Sequence, residues 1–148
     1  MRPGVDVYLE ELGRALAQDF APKLPTAFEQ SALARHAVLL GAVVEEFDRA
    51  AARRIEENQA LRALFADAAG IIPDPDLRTR LRAASATGEP SFTVHDLDAG
   101  NAGLRRLLVE LNEQVEQLAG EPAAALEAAI CRELVRSTER RRTALNRF

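Results

Sequence analysis

Hydrophobic positions recur three and four residues apart along almost the whole chain. No run alternates apolar and polar residues as a half-buried strand would. The first series, Val5, Leu9, Leu12, Leu16 and Phe20, predicts a helix over about residues 5–19 with that stripe facing inward. Pro22 and Pro25 stop it, because proline has no amide hydrogen to donate and restricts the residue before it. A much longer series follows: Leu33, Ala37, Leu40, Val44, Phe47, Ala51, Ile55, Asn58, Leu61, Phe65 and Ala68. No proline interrupts it and Gly70 is a natural stop, so the pattern predicts one helical run over residues 27–69. Glu45 with Arg49, and Arg53 with Glu57, are opposite charges four apart and are expected on its solvent side.

The length of that run is itself informative. Forty-three helical residues would span about 65 Å, whereas a compact chain of 148 residues has a radius of gyration of only about 15 Å. Either the helix breaks, near Gly41, or its excess packs on a second copy of the chain. The second alternative makes a homodimer the expected assembly.

Pro73-Asp74-Pro75-Asp76 reads as a turn and helix start, with a short arginine-rich helix over about residues 76–86. Residues 85–103, rich in glycine and containing His95, read as the longest irregular stretch. A fourth helix is expected over residues 102–119, with Leu104, Leu107, Leu108, Leu111, Val115 and Leu118 facing inward. Gly120-Glu121-Pro122 is a tight turn, so the last helix, over residues 123–145, runs antiparallel to the fourth. Leu126, Ile130, Leu134 and Leu145 form its apolar side. The expected architecture is a single all-α domain, 1–148: an up-and-down helical bundle of four long helices plus one short helix.

Composition narrows the function classes. Alanine and arginine dominate and Lys23 is the one lysine, a bias that points to a high-GC bacterial genome. The single cysteine, Cys131, excludes an intrachain disulfide, and no apolar run approaches the roughly 20 residues of a membrane span. A cytoplasmic protein is therefore expected. Residues 132–148 carry six arginines against two glutamates, +4, and the rest of the chain −8, for a net −4. An acidic body with a short basic end does not suit a dedicated nucleic-acid binder.

Candidate chemistry is sparse. His36 resembles the histidine of phosphotransfer domains, which is followed closely by leucine, lysine and glycine. Here Ala37, Val38, Leu39, Leu40 and Gly41 follow, without the lysine. The plainer reading is a histidine at the core edge with one nitrogen hydrogen-bonded. A di-metal carboxylate site needs Glu-x-x-His pairs, but Leu33 and Phe92 stand three before the two histidines, so no metal and no cofactor is expected. Cys131, beside Ile130, reads as a small apolar residue of the last helix. No nucleophile elbow, phosphate-binding loop or dinucleotide fingerprint occurs, so a non-enzymatic protein is expected. Asn58 falls in register with the apolar series; it either fixes a pairing register or is wetted by rotation of the helix. The arginines Arg136, Arg140, Arg141 and Arg142 suit phosphate, CoA-like or carboxylate groups, or simply complement a helix C-terminus. Arg141, seven residues after Leu134, is placed on the core side.

The leucine-rich first helix running into Phe20-Ala21-Pro22-Lys23-Leu24-Pro25 carries a resemblance. So do Leu33-Ala34-Arg35-His36-Ala37, Val43-Val44-Glu45-Glu46-Phe47 and the closing Asn146-Arg147-Phe148. Mainly over the first 60 residues, the chain is similar to a small helical bacterial family of unknown function. Its members are often encoded beside aminoglycoside-phosphotransferase-like kinases and acyl-CoA dehydrogenases. The resemblance implies an accessory role in acyl-CoA metabolism, with an acyl-CoA-processing enzyme as partner. The leading expectation is thus a homodimeric helical protein acting by protein–protein contact, with neither nucleic acid nor membrane as partner. One alternative is a bundle that grips an anionic, CoA-like molecule through Arg35, His36, Arg136, Arg140 and Arg141; a second is phosphotransfer through His36.

Overall fold

The structure, a computed structural model, describes residues 4–143. Five α-helices carry the described chain, and no strand occurs among those residues: α1 (Val5–Ala15), α2 (Ala27–Ala68), α3 (Pro75–Ala86), α4 (Val94–Val115) and α5 (Glu121–Arg140). The all-α expectation holds. α1 continues through one π-helical turn, Leu16–Phe20, and a 3-10 turn, Ala21–Lys23, before the prolines redirect the chain. α2 runs unbroken through Gly41, where glycine costs only about 1 kcal/mol against alanine and a proline would have broken the ladder.

The described residues fall into two compact units: those up to Ala50 with Arg142 and Thr143, and Ala51–Arg141. The first unit is a helical hairpin. A reciprocal cap starts its second arm, the Thr26 hydroxyl accepting from the Glu29 amide (3.2 Å) and the Glu29 carboxylate accepting from the Thr26 amide (3.1 Å). α1 approaches α2 at Gly13, where an added methyl would just touch the Ala37 carbonyl oxygen and Leu40.

The second unit is a four-helix bundle made by the last part of α2 with α3, α4 and α5. Its core is one cluster in which Phe65, Ala68 and Ile72 meet Leu77 and Leu81 of α3, Leu108 and Leu111 of α4, and Leu126 and Ile130 of α5. Gly120, the residue before α5, has φ of +100°, a conformation that side chains with a Cβ rarely adopt. It permits the tight reversal between α4 and α5.

α4 corrects the sequence reading. The helix starts at Val94, so the irregular stretch is only residues 87–93 and His95 lies in the first helical turn. The start signal is Thr93, whose hydroxyl accepts from the Asp96 amide (3.2 Å) and donates to the Asp96 carboxylate (2.7 Å). Gly100 and Gly103, read as loop residues, are tolerated inside the helix because Leu97 and Leu104 are buried on its core face. Replacing Thr93 with alanine is expected to destabilise the protein by about 1 kcal/mol, with Thr93→Ser close to wild type. Urea melts followed by circular dichroism check this.

α5 also departs at both ends. It begins at Glu121 with Pro122 in its first turn and ends at Arg140, three residues short of the last described position. Leu145 lies outside the described residues. Leu126 and Ile130 are buried as expected, whereas Leu134 is exposed.

Candidate functional site

The five arginine and histidine candidates do not form one site within either unit. Arg35 and His36 belong to the hairpin, on the exposed side of α2. His36, expected at the core edge, is exposed instead, because Leu33, Ala37 and Leu40 take the inward side of the helix; its Nδ1 lies 2.7 Å from the Ala32 carbonyl oxygen, one turn back. Arg136, Arg140 and Arg141 belong to the bundle. Arg136 is exposed on α5, while Arg140 clasps Glu133 with two hydrogen bonds of 2.8 and 3.2 Å.

Arg141 does reach the core side, and what it meets there is Glu57. This carboxylate, 3% exposed, accepts five hydrogen bonds. Arg141 supplies three of them through Nε and Nη2, at 3.2, 3.0 and 2.9 Å. Arg105 of α4 donates at 2.6 Å and the Ser137 hydroxyl at 2.9 Å. Burial alone would raise the Glu57 carboxyl, but the hydrogen bonds from Arg141 and Ser137 and the charges of Arg141 and Arg105 outweigh it. The group is held below its ordinary value. Arg53 and Glu57 were expected as a solvated pair; instead both are buried, Arg53 donating to the Arg140 carbonyl oxygen (3.4 Å) and Glu57 pairing across helices. The reason is that α4 and the end of α5 both reach this face of α2.

Asn58 extends the same network. It is fully buried, donating to the Leu97 carbonyl oxygen (3.3 Å) and accepting from Asn101 (2.9 Å), so the helix does not rotate to wet it. Arg54 pairs with Asp98 of α4 (2.7 Å), and Arg62 pairs with Glu89 of the segment that precedes α4. Beside Glu57 the unit leaves a void of about 10 Å³, room for a single water. A carboxylate whose lone pairs are all engaged, in a space too small for substrate, is a structural clasp. It ties the C-terminal turn of α5 to α2 and α4. For Arg140 or Arg141 to hold an external anion, that anion would first have to displace Glu133 or Glu57.

Cys131 corrects another expectation. Its thiol is exposed, because Ile130 takes the inward position and the next residue turns about 100° away. Among the described residues no group of three or more metal-ligating side chains occurs, and no helix is long and apolar enough to cross a membrane.

The hairpin has the opposite character. Among its described residues only Ala21 and Ala50 are buried, and α1 buries none. The stripe expected as its core is half wet: Leu9 and Leu16 are partly buried, while Val5, Leu12 and Phe20 are each about half exposed. On α2, Leu33, Ala37, Leu40 and Val44 are partly buried, but Phe47, assigned to that series, is 59% exposed. A second apolar stripe, missed in the sequence reading, explains this. Phe28 (77% exposed), Leu39, Val43 and Phe47 are spaced eleven, four and four, on a line about 100° round the helix from the first. That spacing is visible in the sequence; it was masked because one helix carrying two apolar faces looks merely hydrophobic.

No family model matches the chain, and neither a curated protein nor a solved structure does.

Proposed function

We propose that the protein is a non-enzymatic helical protein of the bacterial cytoplasm that acts by protein–protein contact, and that its first contact is with a second copy of itself through the hairpin. The observation that carries this reading is the contrast between the units. Within one chain the hairpin leaves Phe28, Leu39, Val43 and Phe47 exposed along one side of α2, and among its described residues it buries only two alanines. Apolar patches of this kind on soluble proteins mark interaction sites. Four-helix assembly of two such hairpins would cover it.

Charge favours a second copy as the occupant. Arg35 and Glu46 stand eleven residues apart on the same edge of the stripe, so they share one line on the helix. In an antiparallel two-fold pairing each residue meets the other's counterpart, which makes the stripe self-complementary. Arg35 thereby gains a role different from the anion contact considered above. The accessory role next to an acyl-CoA-processing enzyme, which the resemblance of the first 60 residues implies, is part of the same proposal.

Leu39→Glu combined with Phe47→Glu is expected to convert a dimer to a monomer in size-exclusion chromatography with light scattering. The helical circular dichroism of the bundle should stay intact. Arg35→Glu alone is expected to weaken self-association, and adding Glu46→Arg to restore it. A dimer unaffected by the double glutamate variant would refute the assignment of the interface, and restoration by the charge swap distinguishes a second copy from a foreign partner.

A further inference from the structure

A shallow groove of about 230 Å³ runs between α2 and α5 in the bundle, away from the Glu57 clasp, and its chemistry is unlike the rest of that unit. Its floor is built from small side chains, Ala60 and Ala63 of α2 and Ala129 of α5, which is why space remains between two packed helices. Over it stand Arg132 and Arg136. Arg54, Arg62, Arg80, Arg105, Arg140 and Arg141 of the unit each hold a carboxylate, whereas the exposed Arg82 and Arg106 lie away from the groove and hold none. Arg132 and Arg136 hold no hydrogen-bond or ion-pair partner among the described residues.

We propose that this groove binds a small anionic molecule, with a carboxylate or phosphate group held between Arg132 and Arg136. Residues four apart on a helix are neighbours, about 5–6 Å between Cβ atoms, so both guanidinium forks can reach one oxyanion. Glu133 lies between them on α5 and also lines the groove, but Arg140 takes both of its oxygens and neutralises it. The arginine charges therefore face the groove uncompensated from that side. Asp67, the remaining charged group there, enters from α2. It repels a molecule that is anionic throughout and accepts a hydrogen bond from one that also carries a hydroxyl or amino group. The ligand class is thus a small hydroxylated carboxylate or phosphate; the volume admits a head group and a few carbons rather than a drug-sized molecule. None of its residues lies in the hairpin.

The test is an NMR titration of the full chain with inorganic phosphate and, separately, with citrate, following the methyl groups of Ala60, Ala63 and Ala129. Saturable shifts at these alanines are expected with at least one probe, and which probe binds tells the head group. In Arg132→Gln combined with Arg136→Gln the affinity should fall by about tenfold or more, as two charge-assisted contacts are lost. Arg106→Gln, an exposed arginine of α4, should bind as wild type. Neither groove arginine supports the fold, so the variant's melting curve should be unchanged. Alanine methyls that do not shift with either probe, or equal affinity in the double variant, would overturn the proposal.

Discussion

Phe65→Ala is expected to destabilise the protein by about 3–5 kcal/mol, the largest single-residue effect in the molecule. Phe65 is fully buried at the point where the last part of α2 meets α3, α4 and α5, so its removal leaves a cavity that several helices line and none can fill alone. Interiors packed this densely relax only in part, and the loss combines transfer free energy with unfilled volume. Phe65→Leu keeps most of the volume and should cost far less. With a urea m value of about 1–3 kcal/mol/M, the midpoint of the alanine variant should fall by more than about 1 M. A shift below half that would show that Phe65 is not the centre of the core.

Glu57→Ala is expected to cost about 2–3 kcal/mol. Breaking a fully buried ion pair costs roughly 3–5 kcal/mol, but the Arg105 and Arg141 side chains are 39% and 53% exposed and regain water when Glu57 leaves. The buried Ser137 hydroxyl has no such recourse and loses its acceptor. pH gives the sharper signature. The folded Glu57 carboxyl titrates below its unfolded value, so its contribution is fully present above about pH 4.3 and is lost as pH falls through the lower folded value. Glu57→Gln resembles the protonated acid. The stability gap between wild type and Glu57→Gln should therefore be constant from pH 7 down to about 5 and close as the pH falls toward 3. Urea melts at three pH values measure it; a gap independent of pH would contradict the ionic clasp. Glu110 and Asp96 are also held low, by hydrogen bonds from Arg80 and from Thr93 with Ser91, and the subtraction removes their shared acid dependence.

Local patterns carried the helices well where one stripe decides the outcome. α2 was legible almost to the residue, because an unbroken period without proline and a stop at Gly70 are local facts. The start of α4 was not, although Thr93 and Asp96 form a capping pair. The glycines at 100 and 103 read as loop residues, and no local spacing shows that Leu97 is buried. Glu57 shows a different limit. Its partners lie 48, 80 and 84 residues away on α4 and at the end of α5, so no nearby spacing announces them, and the local Arg53–Glu57 spacing suggested a solvated pair instead. Arg141 was placed correctly on the core side by its distance from Leu134, yet the group it meets there could not be inferred. In the hairpin the difficulty is degeneracy, since two apolar faces on α2 leave no polar side to mark the inside.

The bundle and the hairpin divide the work implied by this architecture. Buried apolar contacts and a saturated polar clasp stabilise the first, while the second presents apolar surface that a single chain leaves in water. Native mass spectrometry of the wild-type protein at micromolar concentration tests that claim most directly. The account predicts a principal species at twice the chain mass of 16.2 kDa, that is 32.4 kDa, which dissociates when Leu39 and Phe47 are both replaced by glutamate. A principal species at 16.2 kDa for the wild type would contradict it.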